Sequence, residues 1–119
     1  NQLVARAMLQ RLGCEVTVAD DGAAALDVLA TRSTDLVFMD CQMPVMDGYE
    51  ATRQLRRREG PGEHVPVVAL TALALAGDRQ ECIAAGMDHY ITKPISPEDL
   101  LGILNWWSDL ERGDAARTA

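Results

Sequence analysis

Asp35-Leu36-Val37-Phe38-Met39-Asp40 is a short apolar run that ends on an acid, and Cys41-Gln42-Met43-Pro44-Val45-Met46-Asp47-Gly48 follows it directly. Its apolar, β-favouring residues predict a buried strand. That strand delivers one carboxylate, Asp40, to its C-terminal end, the edge of an open α/β sheet where ligands bind. Pro44 and the Asp47-Gly48 pair then open a loop before the next helix. Taken alone, Asp40 could equally cap a helix or sit solvated at a loop mouth. The rest of the chain decides between these readings.

Two later segments repeat the pattern. Val65-Pro66-Val67-Val68-Ala69-Leu70-Thr71 is almost wholly apolar and ends on a hydroxyl, and Met87-Asp88-His89-Tyr90-Ile91-Thr92 runs into Lys93-Pro94. Earlier, Cys14-Glu15-Val16-Thr17-Val18 alternates apolar and polar residues and predicts a strand near the sheet edge. Helices fall between. Val4, Met8 and Leu12 give residues 1–12 one apolar stripe, with Gly13 at the capping position. Asp20-Asp21-Gly22 turns into a second helix striped by Leu26, Leu29 and Ala30. A third spans Gly48 to Arg58, with Arg53, Arg56, Arg57 and Arg58 expected on a solvated outer face. A fourth runs from Ala76 to Ala85 and stops at Gly86. Ser96, Pro97 and Asp99 form a capping-box-like start to the last helix, which carries Leu100, Leu101, Leu104 and Trp107. Trp106 and Trp107 are adjacent, so one is expected inward and the other near the surface, where it offers a partner contact. Residues 108–119 read as the end of that helix and a tail or linker, after a domain spanning 1–107.

Repeated αβ units of this length imply one domain built on a parallel sheet with helices on both faces. The 119 residues are 48% apolar with a net charge of −7, a balance that argues against direct contact with nucleic acid or an anionic membrane. Three cysteines, Cys14, Cys41 and Cys82, make an odd count without a CxxC pair, which fits reduced thiols and a cytoplasmic setting. Cys41 reads as filler. Met39, Met43 and Met46 read as packing and loop residues, Asp47 as part of the Asp-Gly turn, and His64 and His89 as surface residues.

Three successive strands thus end on Asp40, Thr71 and Lys93. In a parallel sheet their tips point the same way and converge a carboxylate, a hydroxyl and an ammonium. That set suits phosphoryl chemistry. A carboxylate can attack phosphorus to give an aspartyl phosphate. The product gains about two negative charges, which an ammonium, a hydroxyl and a hard cation can bind.

The string Phe38-Met39-Asp40-Cys41-Gln42-Met43-Pro44-Val45-Met46-Asp47-Gly48, with Ala69-Leu70-Thr71-Ala72 and Lys93-Pro94, resembles a response-regulator receiver domain, in order from residue 1 to about 107. The wording around Asp40 and Ala76-Gly77-Asp78-Arg79 is most similar to receivers of hybrid sensor histidine kinases. The resemblance implies a flavodoxin-like (CheY-like) doubly wound fold, strand order 2-1-3-4-5, and phosphorylation at Asp40. It implies Mg²⁺ held by the Asp40 side chain and the backbone carbonyl of Gln42. Thr71 and Lys93 would bind the phosphoryl group, a cis bond would precede Pro94, and Tyr90 would be the aromatic switch that moves with Thr71. The implied domain phosphorylates and dephosphorylates itself. Its implied partners are a histidine kinase phosphodonor domain and a histidine phosphotransfer domain, with a homodimer left open, no nucleic acid and no membrane contact of its own. The setting would be cytoplasmic, including the cytoplasmic part of a membrane-anchored sensor kinase.

One departure matters. The family's first strand and the acidic pair that follows it are not among these 119 residues, and Asp20-Asp21 does not replace them. A truncated or pseudo-receiver acting only as an interaction module is therefore the main alternative. A phosphatase of the haloacid dehalogenase type fits worse, because Gln42 stands where its second Asp belongs.

Overall fold

A computed structural model describes residues 2–72 and 76–112, and the side chains of 5–72 and 79–110. Its elements, in chain order, are α1 (Gln2–Arg11), α2 (Gly22–Thr31), β1 (Val37–Asp40), α3 (Gly48–Arg58), β2 (Val67–Thr71), α4 (Ala76–Ala85), β3 (His89–Thr92) and α5 (Pro97–Arg112). The tail expected beyond the last helix lies, from residue 113, outside the described residues. The chain divides into two compact units, residues 18–94 and a second made of 1–17 with 95–119.

The larger unit holds a three-stranded parallel sheet in the order β1-β2-β3. Val37 pairs with Val67 and Asp40 with Leu70, while Val68 pairs with His89 and Thr71 with Thr92. Side chains alternate faces along a strand, so this register sets two faces. Met39, Ala69 and Tyr90 share one face, and it packs on Leu26 of α2, Ala51 and Leu55 of α3, and Cys82 of α4. Asp21 caps α2 by accepting from Ala24 N at 2.8 Å, and Asp47 caps α3 by accepting from Glu50 N at 2.9 Å. Gly86, at φ +101°, ends α4 in a Schellman turn: Met87 N donates to Cys82 O and Gly86 N to Ile83 O.

In the smaller unit, α1 packs with α5. Gly13, at φ +89°, closes α1 by the same pair of bonds, Cys14 N to Leu9 O and Gly13 N to Gln10 O. The expected capping box opens α5, with Asp99 N donating to Ser96 Oγ and Ser96 N to Asp99 Oδ2. Leu9, Leu100 and Ile103 are buried.

Three expectations need correction. Residues 14–18 form no strand. In the order 2-1-3-4-5 that strand has a single neighbour, the first, and among the described residues no segment supplies it. Arg56 does not lie on a solvated face: its side chain is only 17% exposed and is clamped into the sheet's N-terminal end. It donates to Gly86 O, Val65 O, both Glu59 carboxylate oxygens and Asp88 Oδ2, at 2.8–3.1 Å. His64 is exposed, as expected of a surface residue, and meets Asp88 Oδ1 at 2.7 Å in the same network. Trp106 and Trp107 are both half-buried, not split between core and surface.

Candidate functional site

The C-terminal ends of β1, β2 and β3 lie side by side because the strands are parallel and in register. Cys41 N donates to Leu70 O at 3.0 Å, and Lys93 N donates to Thr71 O at 2.7 Å. These two bonds place the residues after β1 and β3 on either flank of the central strand's tip. Across that tip, Lys93 Nζ donates to Asp40 Oδ2 at 2.8 Å. The pair is 24% and 30% exposed, partly withdrawn from water yet reachable. Thr71 is buried between the flanking strands. The carboxylate, hydroxyl and ammonium read from sequence thus share one sheet edge.

Asp40 also holds its own loop. Its Oδ1 accepts from Gln42 N at 3.0 Å, an Asx-type turn that fixes the carboxylate's direction. The two carboxylate oxygens of Asp40 thus have separate partners, Oδ1 the Gln42 amide and Oδ2 the Lys93 ammonium. Gly48 presses on this loop from α3: a Cβ there would overlap the Asp40 carbonyl oxygen, so glycine permits the close approach. Between them, Met46 N donates to Pro44 O at 2.7 Å around Val45, whose φ is +69°. That is a classic γ-turn on a β-branched residue, a conformation costing about 1–3 kcal/mol. Val45 is 86% exposed, so its side chain returns nothing to the core. Nothing in the sequence marked it.

Cys41 is buried, and burial above all pushes its thiol up to about 12, with a bond from Tyr49 only partly opposing this. The Tyr49 hydroxyl is likewise pushed up by burial and then by its bond to Cys41. Neither ionises near neutrality, so Cys41 is inert filler, as read. At the exposed start of α3, bonds from Gln54 and Arg53 hold the Glu50 carboxyl below its usual range. An open cleft of about 540 Å³ adjoins the loop, lined by Cys41, Gln42, Met43, Pro44, Asp47, Tyr49 and Glu81, but not by Asp40, Thr71 or Lys93.

Tyr90 lies on the same sheet face as Thr71, since it pairs with Ala69 two residues before it. Its ring packs against the core, and its hydroxyl accepts from Arg79 Nε at 2.7 Å. The Lys93–Pro94 peptide is cis.

Residues 1–105 match the family described as response regulator receiver domain. The chain belongs to that family. Sensor histidine kinase GacS of Pseudomonas protegens is 41% identical over 112 residues, 92% of this chain and 12% of that protein. Hybrid signal transduction histidine kinase I of Dictyostelium discoideum is 38% identical over 111 residues, 88% of this chain and 6% of that protein. The receiver thus spans a small fraction of these curated relatives. Among solved structures, the receiver domain of sensor histidine kinase PA1611 from Pseudomonas aeruginosa superposes with a TM-score of 0.81 at 47% identity. The match covers 90% of this chain and 87% of that one, and that crystal holds a magnesium ion in its active-site cleft. The receiver domain of Ssk1, crystallised with the histidine phosphotransfer protein Ypd1 of Saccharomyces cerevisiae, gives 0.84 at 26% identity, covering 92% and 82%. The fold is the flavodoxin-like one of CheY-type receivers. Among the described residues no helix of this receiver is long and apolar enough to cross a membrane.

Proposed function

We propose that this receiver accepts a phosphoryl group from a phosphohistidine onto Asp40 and switches conformation in response, within a hybrid histidine kinase. The observation that carries the reading is the 2.8 Å Lys93–Asp40 pair laid across the tip of the strand that ends on Thr71. The Asp40 carboxylate attacks phosphorus as the P–N bond breaks, and the electron pair returns to the imidazole nitrogen. Lys93 then follows the negative charge from the carboxylate to a phosphoryl oxygen, and the Thr71 hydroxyl donates to another. Tyr90, on Thr71's face of the sheet, takes the space that Thr71 leaves.

Mg²⁺ fits this edge in part. Asp40 and the Gln42 carbonyl offer hard oxygens, and this ion keeps several waters and often binds through one or two carboxylates plus phosphate. Among the described residues no three acidic, histidine or cysteine groups cluster as a fuller site. Bound there, the ion would neutralise charge on the transferring oxygens. The partners are a histidine-bearing phosphodonor and a histidine phosphotransfer domain, by analogy with Ypd1 and Ssk1, and the setting is cytoplasmic.

The test is uptake of label from acetyl phosphate with Mg²⁺ present, which a chelator should abolish. With one site carboxylate, the 119-residue chain is expected to label slowly, and adding an apolar strand and acidic pair ahead of Asn1 should speed it. A folded protein of that extended form that takes no label would leave the interaction-module reading in its place. Lys93→Ala should still accept phosphate, more slowly, but lose the change that phosphorylation produces in the β3 and α4 amide NMR signals. Wild-type shifts in that variant would remove Lys93 from the switch.

A further inference from the structure

We propose that Arg79 is a positioning residue that latches Tyr90 in its resting orientation and so sets how readily the receiver switches; this rests on reading Tyr90 as the switch aromatic. Arg79 projects from α4 and Tyr90 from β3, within the larger unit. Two interactions join them. Arg79 Nε donates to the Tyr90 hydroxyl at 2.7 Å, and the guanidinium carbon lies 5.2 Å from the ring centroid. The first is charge-assisted, and the second is cation–π attraction. Both interactions come from one guanidinium, whose Nε reaches the hydroxyl while its Cζ lies near the ring.

Both interactions exist only while the hydroxyl stays at the surface against α4. Turning the ring toward the space beside Thr71 breaks them together. A contact made in one of two states biases the equilibrium by its full differential strength. An exposed charged bond with cation–π support favours the resting state by about tenfold. By linkage, ligands that require the switched state bind more weakly by the same factor. Arg79 never touches the phosphoryl group. It acts through Tyr90.

The experiment uses the full chain labelled with 3-fluorotyrosine, which gives ¹⁹F signals from Tyr49 and Tyr90 only. Tyr49→Phe assigns them. Arg79→Ala should move the resting Tyr90 signal toward the position it takes with saturating Mg²⁺ and beryllofluoride, a phosphoryl mimic. The half-saturating beryllofluoride concentration should fall about tenfold. Arg79→Lys keeps the charge but loses the flat donor, and should fall between. In the Tyr90→Phe background, which has no acceptor oxygen, Arg79→Ala should change beryllofluoride affinity much less than in wild type. A merely structural arginine predicts a different result: a lower urea midpoint with the resting Tyr90 signal and the beryllofluoride affinity unmoved. That result overturns the proposal. If no variant responds to beryllofluoride, the phosphoacceptor reading of this chain fails, while the resting Tyr90 signal still decides whether Arg79 holds the ring.

Discussion

Asp40→Asn is expected to reduce phosphoryl uptake from acetyl phosphate to the background of an unreacted chain. The carboxamide is a poor nucleophile, and it does not carry the charge that holds Lys93 at 2.8 Å. The fold should survive. The pair is partly exposed, so losing it costs about 1 kcal/mol, and the asparagine carbonyl can still accept from Gln42 N. Cooperative urea unfolding near the wild-type midpoint, with no acid-stable but base-labile phosphate, is the expected pair of results. Persistent labelling of that variant would place the phosphoacceptor elsewhere.

Arg56→Ala is expected to lower unfolding stability by about 2–4 kcal/mol, a large share of a small domain's total. The substitution leaves the carbonyls of Gly86 and Val65 without this donor and takes the cation from between Glu59 and Asp88. Asp88 in turn accepts from Val67 N, where β2 begins, so the loss loosens the start of the central strand. Arg57 is the control. It lies one residue on, is 66% exposed and makes a 3.3 Å bond to Glu50, so Arg57→Ala should change stability by less than about 0.5 kcal/mol. Urea midpoints of the two variants should differ clearly. Equal midpoints would return Arg56 to the solvated face where its position in a basic run had put it.

That contrast shows where sequence reasoning stops. Arg53, Arg56, Arg57 and Arg58 look alike as a charge run, and only the surroundings distinguish them. The helix carrying them was legible in extent, because the Asp47-Gly48 turn marks its start and Gly60-Pro61-Gly62 follows its end. The same holds for α4, where Gly86 stops the helix by adopting a backbone angle that other residues resist. The failed strand at residues 14–18 has the opposite cause. Alternation records which face a segment would bury, not whether a neighbour exists to complete its ladder.

The meeting of Asp40, Thr71 and Lys93 at one sheet edge was legible because each stands at the end of an apolar run, and parallel strands carry their tips to one edge whatever the details of packing. Arg79's grip on Tyr90 was not legible, since the two residues are eleven apart on different elements and no local period relates them. Val45's γ-turn was hidden as well, because a β-branched residue is the last expected at positive φ. By itself the sequence determined the five helices, the three strands of the sheet, the glycine stops of α1 and α4, the capping box of α5 and the three chemistries at the sheet edge. Those follow from short-range periodicity and backbone preference. Tertiary structure alone decided which arginine is clamped and which one meets the tyrosine, because each depends on groups far apart in the chain meeting in space.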